Sequence, residues 1–124
     1  MEFKGKEIDE VLRALKAAGA PTYASELQKN YLHDWQMLKV DAIFKYLLIN
    51  HRHKFGWAQY DIEFGGGYGL EYLDEWDDDL EKGGFERFWQ HKERFKLSLK
   101  EILNNTKGGI SAVNAVLSLV DKFY

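Results

Sequence analysis

The stretch GWAQYDIEFGGGYGLEYL at residues 56–73 decides the fold class of this 124-residue chain. Along residues 57–64, apolar and mainly polar side chains alternate, and this two-residue period is typical of a β-strand with one buried face. Three glycines at residues 65–67 allow the positive φ angles of a tight turn, and the alternation resumes from Tyr68 to Tyr72. The stretch therefore predicts one antiparallel β-hairpin.

The segments on both sides of the hairpin follow the period of amphipathic helices. Helices are predicted at residues 8–18, 25–32, 35–49, 85–103 and 110–123. Helix 35–49 is apolar around more than half of its circumference, so we expect it to be the central core element. The apolar hairpin residues Tyr60, Ile62 and Phe64 should pack on it. The sequence thus predicts a mostly helical α+β fold, with about five helices and one central hairpin, in a single domain over residues 1–124.

The order of these elements resembles that of a winged helix. A helix, a short extended segment at residues 20–23, two helices and then a strand, a turn and a strand follow one another over residues 8–73. The segment LKAAGAPTYASELQK, residues 15–29, is similar to the join between the first two helices of that fold. The resemblance implies nucleic-acid binding through the third helix and the hairpin, which forms the wing.

The charges of the third helix and the wing argue against nucleic-acid binding. The helix offers Gln36, Lys39 and Lys45 on a largely apolar surface, and the tip of the wing has no Arg or Lys. Because contacts between basic side chains and phosphates supply most non-specific affinity, an acidic wing would repel DNA. A winged helix with these charges is expected to bind protein.

Acidic residues are concentrated in one part of the chain. Residues 1–50 hold seven acids and seven bases, whereas residues 61–81 hold nine acids and no base. Aromatic side chains lie beside or within this acidic run, as they do at surfaces that capture a basic partner. The predicted partner-binding residues are Tyr68, Tyr72, Asp74, Glu75, Trp76, Asp77, Asp78, Asp79 and Glu81. The alternative interpretation is a solvated, acid-rich segment that starts a helix.

A second cluster, HRHK at residues 51–54, follows the third helix. His51 and His53 would point to one side of an extended segment and could hold a metal, but the sequence shows no third ligand. A cationic helix end that complements the helix dipole is the simpler interpretation. The spacing of the acids excludes an EF-hand. We therefore predict no metal site and no cofactor.

Two other functions stay open. A winged-helix-like nucleic-acid-binding regulator would form a homodimer through the last two helices and contact phosphates with Arg52, Lys54, Arg87, Arg94 and Lys96. An enzyme would be one without a recognisable motif, because the chain has no cysteine, no GxSxG, no HExxH and no phosphate-binding loop.

The composition indicates where the protein acts. No segment approaches the ~18 apolar residues of a membrane span, and the first residues lack the pattern of a secretory signal. The absence of cysteine fits a reducing compartment. We therefore expect a cytoplasmic protein with no membrane partner. The leading hypothesis is a small inhibitor, immunity or accessory protein, not an enzyme, that engages a basic protein.

Overall fold

The computed structural model describes residues 2–63, 67–104 and 109–123. The helices are α1 (Gly5–Ala18), α2 (Ala24–Tyr31), α3 (Met37–His51), α4 (Glu75–Glu81), α5 (Gly84–Asn104) and α6 (Gly109–Phe123), with one turn of 3-10 helix at Arg52–Lys54. The strands are β1 (Thr22–Tyr23), β2 (Ala58–Asp61) and β3 (Gly67–Leu70). The predicted mostly helical α+β class is confirmed. The helix beyond the five predicted is α4, which the acidic run forms.

The chain divides into two compact units, Met1–Glu86 and Arg87–Tyr124. Each unit is described below by itself. The single domain expected over residues 1–124 stays a prediction. Among the described residues, no helix combines the length and the apolar character needed to cross a bilayer.

The three strands form one antiparallel sheet in the order β1-β3-β2. In the hairpin, Ala58 pairs with Leu70, Gln59 with Gly69, Tyr60 with Tyr68 and Asp61 with Gly67. On the other side of β3, Thr22 also lies opposite Leu70, so the extended segment predicted at residues 20–23 contains the third strand. Over residues 8–73 the elements follow the predicted order of a helix, a short extended segment, two helices and two strands. Of the predicted turn, residues 65 and 66 lie outside the described part of the chain.

The core of the first unit is built from α1, α2, α3 and β3. Its fully buried side chains include Ile8, Val11, Leu12 and Leu15 of α1, Leu27 of α2, Val40, Ile43, Phe44 and Leu47 of α3, and Leu70 of β3. In α1 these residues recur at helical spacing and share one face. Gly19 ends α1 with a φ of 66°, a left-handed conformation that glycine adopts without strain.

The expected packing of the hairpin on α3 is wrong for Tyr60 and Ile62. Ile62 is 75% exposed and Tyr60 is 48% exposed, while Phe64 lies outside the described residues. Tyr60 pairs with Tyr68, two residues from the Ala58–Leu70 pair in the direction of the turn, and Ile62 lies beyond the end of β2, so both residues lie away from the core. The central strand β3 reaches the core through Leu70 instead.

A buried carboxylate in α1 caps the distant helix α5. Asp9 is 1% exposed, and its oxygens accept hydrogen bonds from the backbone N–H groups of Phe85 and Glu86 at 2.8 and 2.9 Å. The first N–H groups of a helix have no partner inside the helix, and a negative charge is favourable there. A Cβ at Gly84, whose φ is 59°, would overlap Asp9, and one at Gly5 would overlap the carbonyl oxygen of Phe85. Residues 84–86, which belong to the first unit, are therefore fixed against α1.

The second unit consists of α5 from Arg87 onward and α6. Lys96 and Lys92 of α5 form ion pairs with Asp121 of α6, at 2.9 and 3.3 Å. Val120 of α6 is buried. These contacts place the two helices side by side.

Candidate functional site

The acidic run forms the short helix α4, which a buried tryptophan fastens to the core. Five of its seven residues, EWDDDLE, are acidic, and carboxylates are favourable in the first turn of a helix. Trp76 is 2% exposed, and its ring lies 5.3 Å from that of Phe55, 5.7 Å from His51 and 5.9 Å from Phe85. This corrects the expectation that Trp76 is an exposed anchor, because a ring buried to this extent offers no surface to a partner. Its role is to hold α4 in place.

Part of the charge of α4 is neutralised by lysines from three different segments. Lys16 of α1 pairs with Asp77 at 2.7 Å, Lys54 with Asp79 at 2.7 Å, and Lys82 with Asp78 at 2.9 Å. All three pairs are partly exposed, so solvent screens them and each contributes little to stability. Residues 61–81 contain no base, but in the structure lysines from outside this run lie beside its carboxylates.

The ion pair between Lys16 and Asp77 also involves a tyrosine. The hydroxyl of Tyr72 donates a hydrogen bond to Oδ1 of Asp77 at 2.7 Å, and Nζ of Lys16 lies 5.9 Å from the Tyr72 ring. Burial, followed by the hydrogen bond to Asp77, raises the pKa of Tyr72 far above its ordinary value. The hydrogen bonds from Lys16 and Tyr72 lower the pKa of Asp77. Near neutral pH, Asp77 is therefore an anion and Tyr72 is a neutral donor.

The remaining carboxylates of residues 74–81 face solvent. Asp74, Glu75 and Glu81 are exposed, and none forms an ion pair with a residue in the described part of the chain. We call these three residues the acidic surface. Of the predicted aromatic residues, Tyr72 lies against Asp77, whereas Tyr68 lies in the hairpin with its ring 4.9 Å from Tyr60.

His51 lies at the end of α3 in a cluster of aromatic rings. Its ring is 5.3 Å from Phe85, 5.7 Å from Trp76 and 5.8 Å from Tyr46. Burial, with smaller effects from Lys54 and His53, lowers its pKa. The segment is a helix end and a 3-10 turn, not the extended segment assumed for a two-histidine site. Across the described ranges, no group of three or more His, Cys, Asp and Glu side chains could hold a metal.

Mild acid is expected to destabilise the protein through His51. Its folded pKa lies below the ordinary value of 6.5, so the unfolded chain binds more protons at pH values between the two. The contribution of His51 to stability is complete above pH 6.5 and is lost as pH falls toward the folded pKa. Thermal unfolding of the wild type between about pH 5.5 and 7.5 should show this decrease in Tm.

The matched control for His51 is the exposed His53. His53→Asn should keep the pH dependence of Tm, whereas His51→Asn should flatten it. Equal slopes in the wild type and in His51→Asn would contradict the assignment.

The residues of the nucleic-acid alternative are only partly available. Lys54 pairs with Asp79 and lies 4.8 Å from the Trp76 ring, and Lys96 pairs with Asp121. Nε of Arg87 donates to His91 at 3.4 Å. Arg52 and Arg94 are exposed. Three of the five proposed phosphate contacts, those of Lys54, Arg87 and Lys96, are therefore engaged inside the protein.

An open depression of about 660 Å³ lies at the start of α3. It is lined by Lys4, Lys6, Glu7, Glu10, Asp34, Trp35, Gln36 and Lys39. Nζ of Lys39 lies 2.6 Å from Oε2 of Glu7 and 5.9 Å from the ring of Trp35. Its three bases and three acids balance, so the depression has no net charge with which to select an ionic ligand.

No protein family, curated protein or solved structure matches this chain. The class that the fold defines is a small, mostly helical α+β protein with one three-stranded antiparallel sheet in its first unit. Its function has to be argued from the surface described above.

Proposed function

We propose that this protein is a small cytoplasmic inhibitor, immunity or accessory protein that binds a basic surface of another protein through α4. The supporting observation is that Glu75 and Glu81 are exposed on a helix that Trp76 holds against the core, and Asp74 is exposed immediately before it. The proposal includes no catalytic activity.

The rigid attachment of α4 favours binding. A helix held by a buried side chain loses little conformational entropy when a partner binds, so more of the interaction energy appears as affinity. The acidic surface also lies in a negative field, because residues 1–86 carry seventeen acids and ten bases. Such a field speeds the encounter with a basic partner and selects against acidic ones. Half-buried Tyr72, next to α4, offers the aromatic contact that ion pairs alone do not supply.

The ion pairs of α4 determine which residues can be replaced to test partner binding without disturbing the helix itself. Asp77 and Asp79 pair with Lys16 and Lys54, so their replacement would disturb the packing of α4 as well as any partner contact. The three residues of the acidic surface form no ion pair among the described residues, and Asp74 and Glu81 act on Lys16 only through their charge at longer range. Neutralising them changes the field and leaves the described ion pairs intact.

Combining Asp74→Asn, Glu75→Gln and Glu81→Gln is expected to weaken partner binding by about tenfold or more and to reduce its dependence on salt. Tagged wild-type protein would first capture the partner from a lysate of the native host at low salt, with identification by mass spectrometry. The affinity of the purified pair would then be measured by calorimetry at several salt concentrations.

A second triple variant, Glu2→Gln, Glu26→Gln and Asp34→Asn, is the matched control. It removes the same number of exposed negative charges from other parts of the first unit and should leave affinity nearly unchanged. A partner that binds both triple variants equally well, or whose affinity does not fall as salt rises, would contradict the proposal.

A nucleic-acid-binding regulator is the second candidate. The winged-helix order of elements favours it, and residues 87–124 carry seven bases and three acids. Duplex DNA should then bind at low salt with a steep salt dependence that Arg52→Ala and Arg94→Ala reduce. Absence of binding at low salt would remove this candidate.

A further inference from the structure

Helix α3 is apolar on two opposite faces. One face is fully buried in the core. On the opposite side, Leu38 is 70% exposed and Ile49 is 68% exposed, with Ala42 and Lys45 between them. We call Leu38, Ala42, Lys45 and Ile49 the outer face of α3. Large exposed apolar side chains on one face of a helix are typical of a surface that a partner covers.

We infer that the outer face of α3 packs against the same face of a second copy of this chain, with the two helices antiparallel. Leu38 and Ile49 lie roughly 16 Å apart along the helix axis and are symmetric about its midpoint. A two-fold axis at that point brings Leu38 of each copy to Ile49 of the other. It also places the small Ala42 opposite Lys45, which allows the helices to approach closely. This is the self-complementary pattern of an isologous dimer.

The charges of the outer face fit the same arrangement. Asp41 is half-buried at its edge, and the antiparallel packing sets Asp41 of one copy beside Lys45 of the other. The two opposite charges cancel, so the copies meet without like-charge repulsion although the first unit as a whole is acidic. A nucleic acid fits less well, because the face carries a single cation.

The size of the outer face sets the strength of the dimer. Only two large apolar side chains per copy are exposed on it. An interface of this kind is smaller than the ~800 Å² per partner of stable complexes, so the association is of the weak class. We expect a dissociation constant in the micromolar range. This inference is independent of the acidic surface on α4.

Sedimentation equilibrium from about 5 to 500 µM tests the inference. The wild type should shift from monomer to dimer over this range, and Leu38→Glu should raise the dissociation constant by about tenfold or more. The matched control is Ile62→Glu, since Ile62 is equally apolar and equally exposed but lies next to β2; it should not change the dissociation constant. A monomer at every concentration would overturn the inference, as would a dimer that Leu38→Glu leaves unchanged.

Disulfide crosslinking tests the orientation of the helices, and the absence of native cysteine makes it direct. Single variants Leu38→Cys and Ile49→Cys would be mixed and oxidised. The antiparallel dimer predicts that the mixed disulfide between the two variants exceeds either disulfide between identical copies. A preference for identical copies would show parallel helices and overturn the inference.

A charge exchange gives a second test of orientation. Asp41→Lys and Lys45→Asp should each weaken the dimer, and the double variant should restore it. A double variant that is no stronger than the single ones would overturn the proposed pairing.

Discussion

Replacing Trp76 with alanine is expected to lower the free energy of unfolding by about 3 to 5 kcal/mol, the usual cost of removing a large buried aromatic side chain. The ring is the contact of α4 with the core, where it packs between His51, Phe55 and Phe85. Urea denaturation followed by far-ultraviolet circular dichroism measures the change. This readout is preferable to fluorescence because the substitution itself removes a fluorophore.

Phenylalanine at the same position separates packing from hydrogen bonding. Nε1 of Trp76 is buried and forms no hydrogen bond with any described residue. A buried donor without a partner costs about 1 to 3 kcal/mol, so Trp76→Phe removes this cost while it loses part of the ring. We expect a net change of less than about 1.5 kcal/mol. A loss as large as that of the alanine variant would show that the indole nitrogen has a partner in solution.

Replacing Asp9 with alanine is expected to lower the free energy of unfolding by about 3 kcal/mol. The substitution removes two charge-assisted hydrogen bonds and leaves the first N–H groups of α5, those of Phe85 and Glu86, without an acceptor. Urea denaturation of the wild type and the variant measures the difference.

Two further variants isolate the cause of the Asp9 effect. Asp9→Asn keeps the shape and one oxygen acceptor but no charge, so its loss should lie between zero and that of alanine. Glu10→Ala changes the neighbouring carboxylate, which caps no helix, and should stay within about 0.5 kcal/mol of the wild type. Equal losses in Asp9→Ala and Glu10→Ala would argue against the capping role.

The elements of the fold were predictable because they depend on local periodicity. The helical spacing predicted α1 and α3, and the alternation predicted the hairpin of β2 and β3. Which hairpin residues contact the core was not predictable in the same way. Alternation shows which side chains share a face, but whether a residue of that face meets the core depends on how far along the hairpin it lies. Tyr60 and Ile62 lie toward the turn from the Ala58–Leu70 pair, and both are exposed.

The acidic run was also predictable only in part. Its charge was evident from the sequence, but the ion pairs of Asp77 and Asp79 join residues far apart in the chain, which no local pattern reveals. Trp76 is large and apolar enough to suit either a core or an interface. The signal for burial was Leu80, four residues later and thus on the same side of a helix.

The junction between α1 and α5 restricts how this sequence can diverge. Asp9 needs Gly84 beside it, because any larger residue at that position would overlap the carboxylate, and Gly5 is held to glycine by the backbone of Phe85. None of these positions is free to change alone without opening the junction. They lie at opposite ends of the first unit, so no short motif contains them. Distant relatives should share this spaced set of residues even where little else in the two sequences can be aligned.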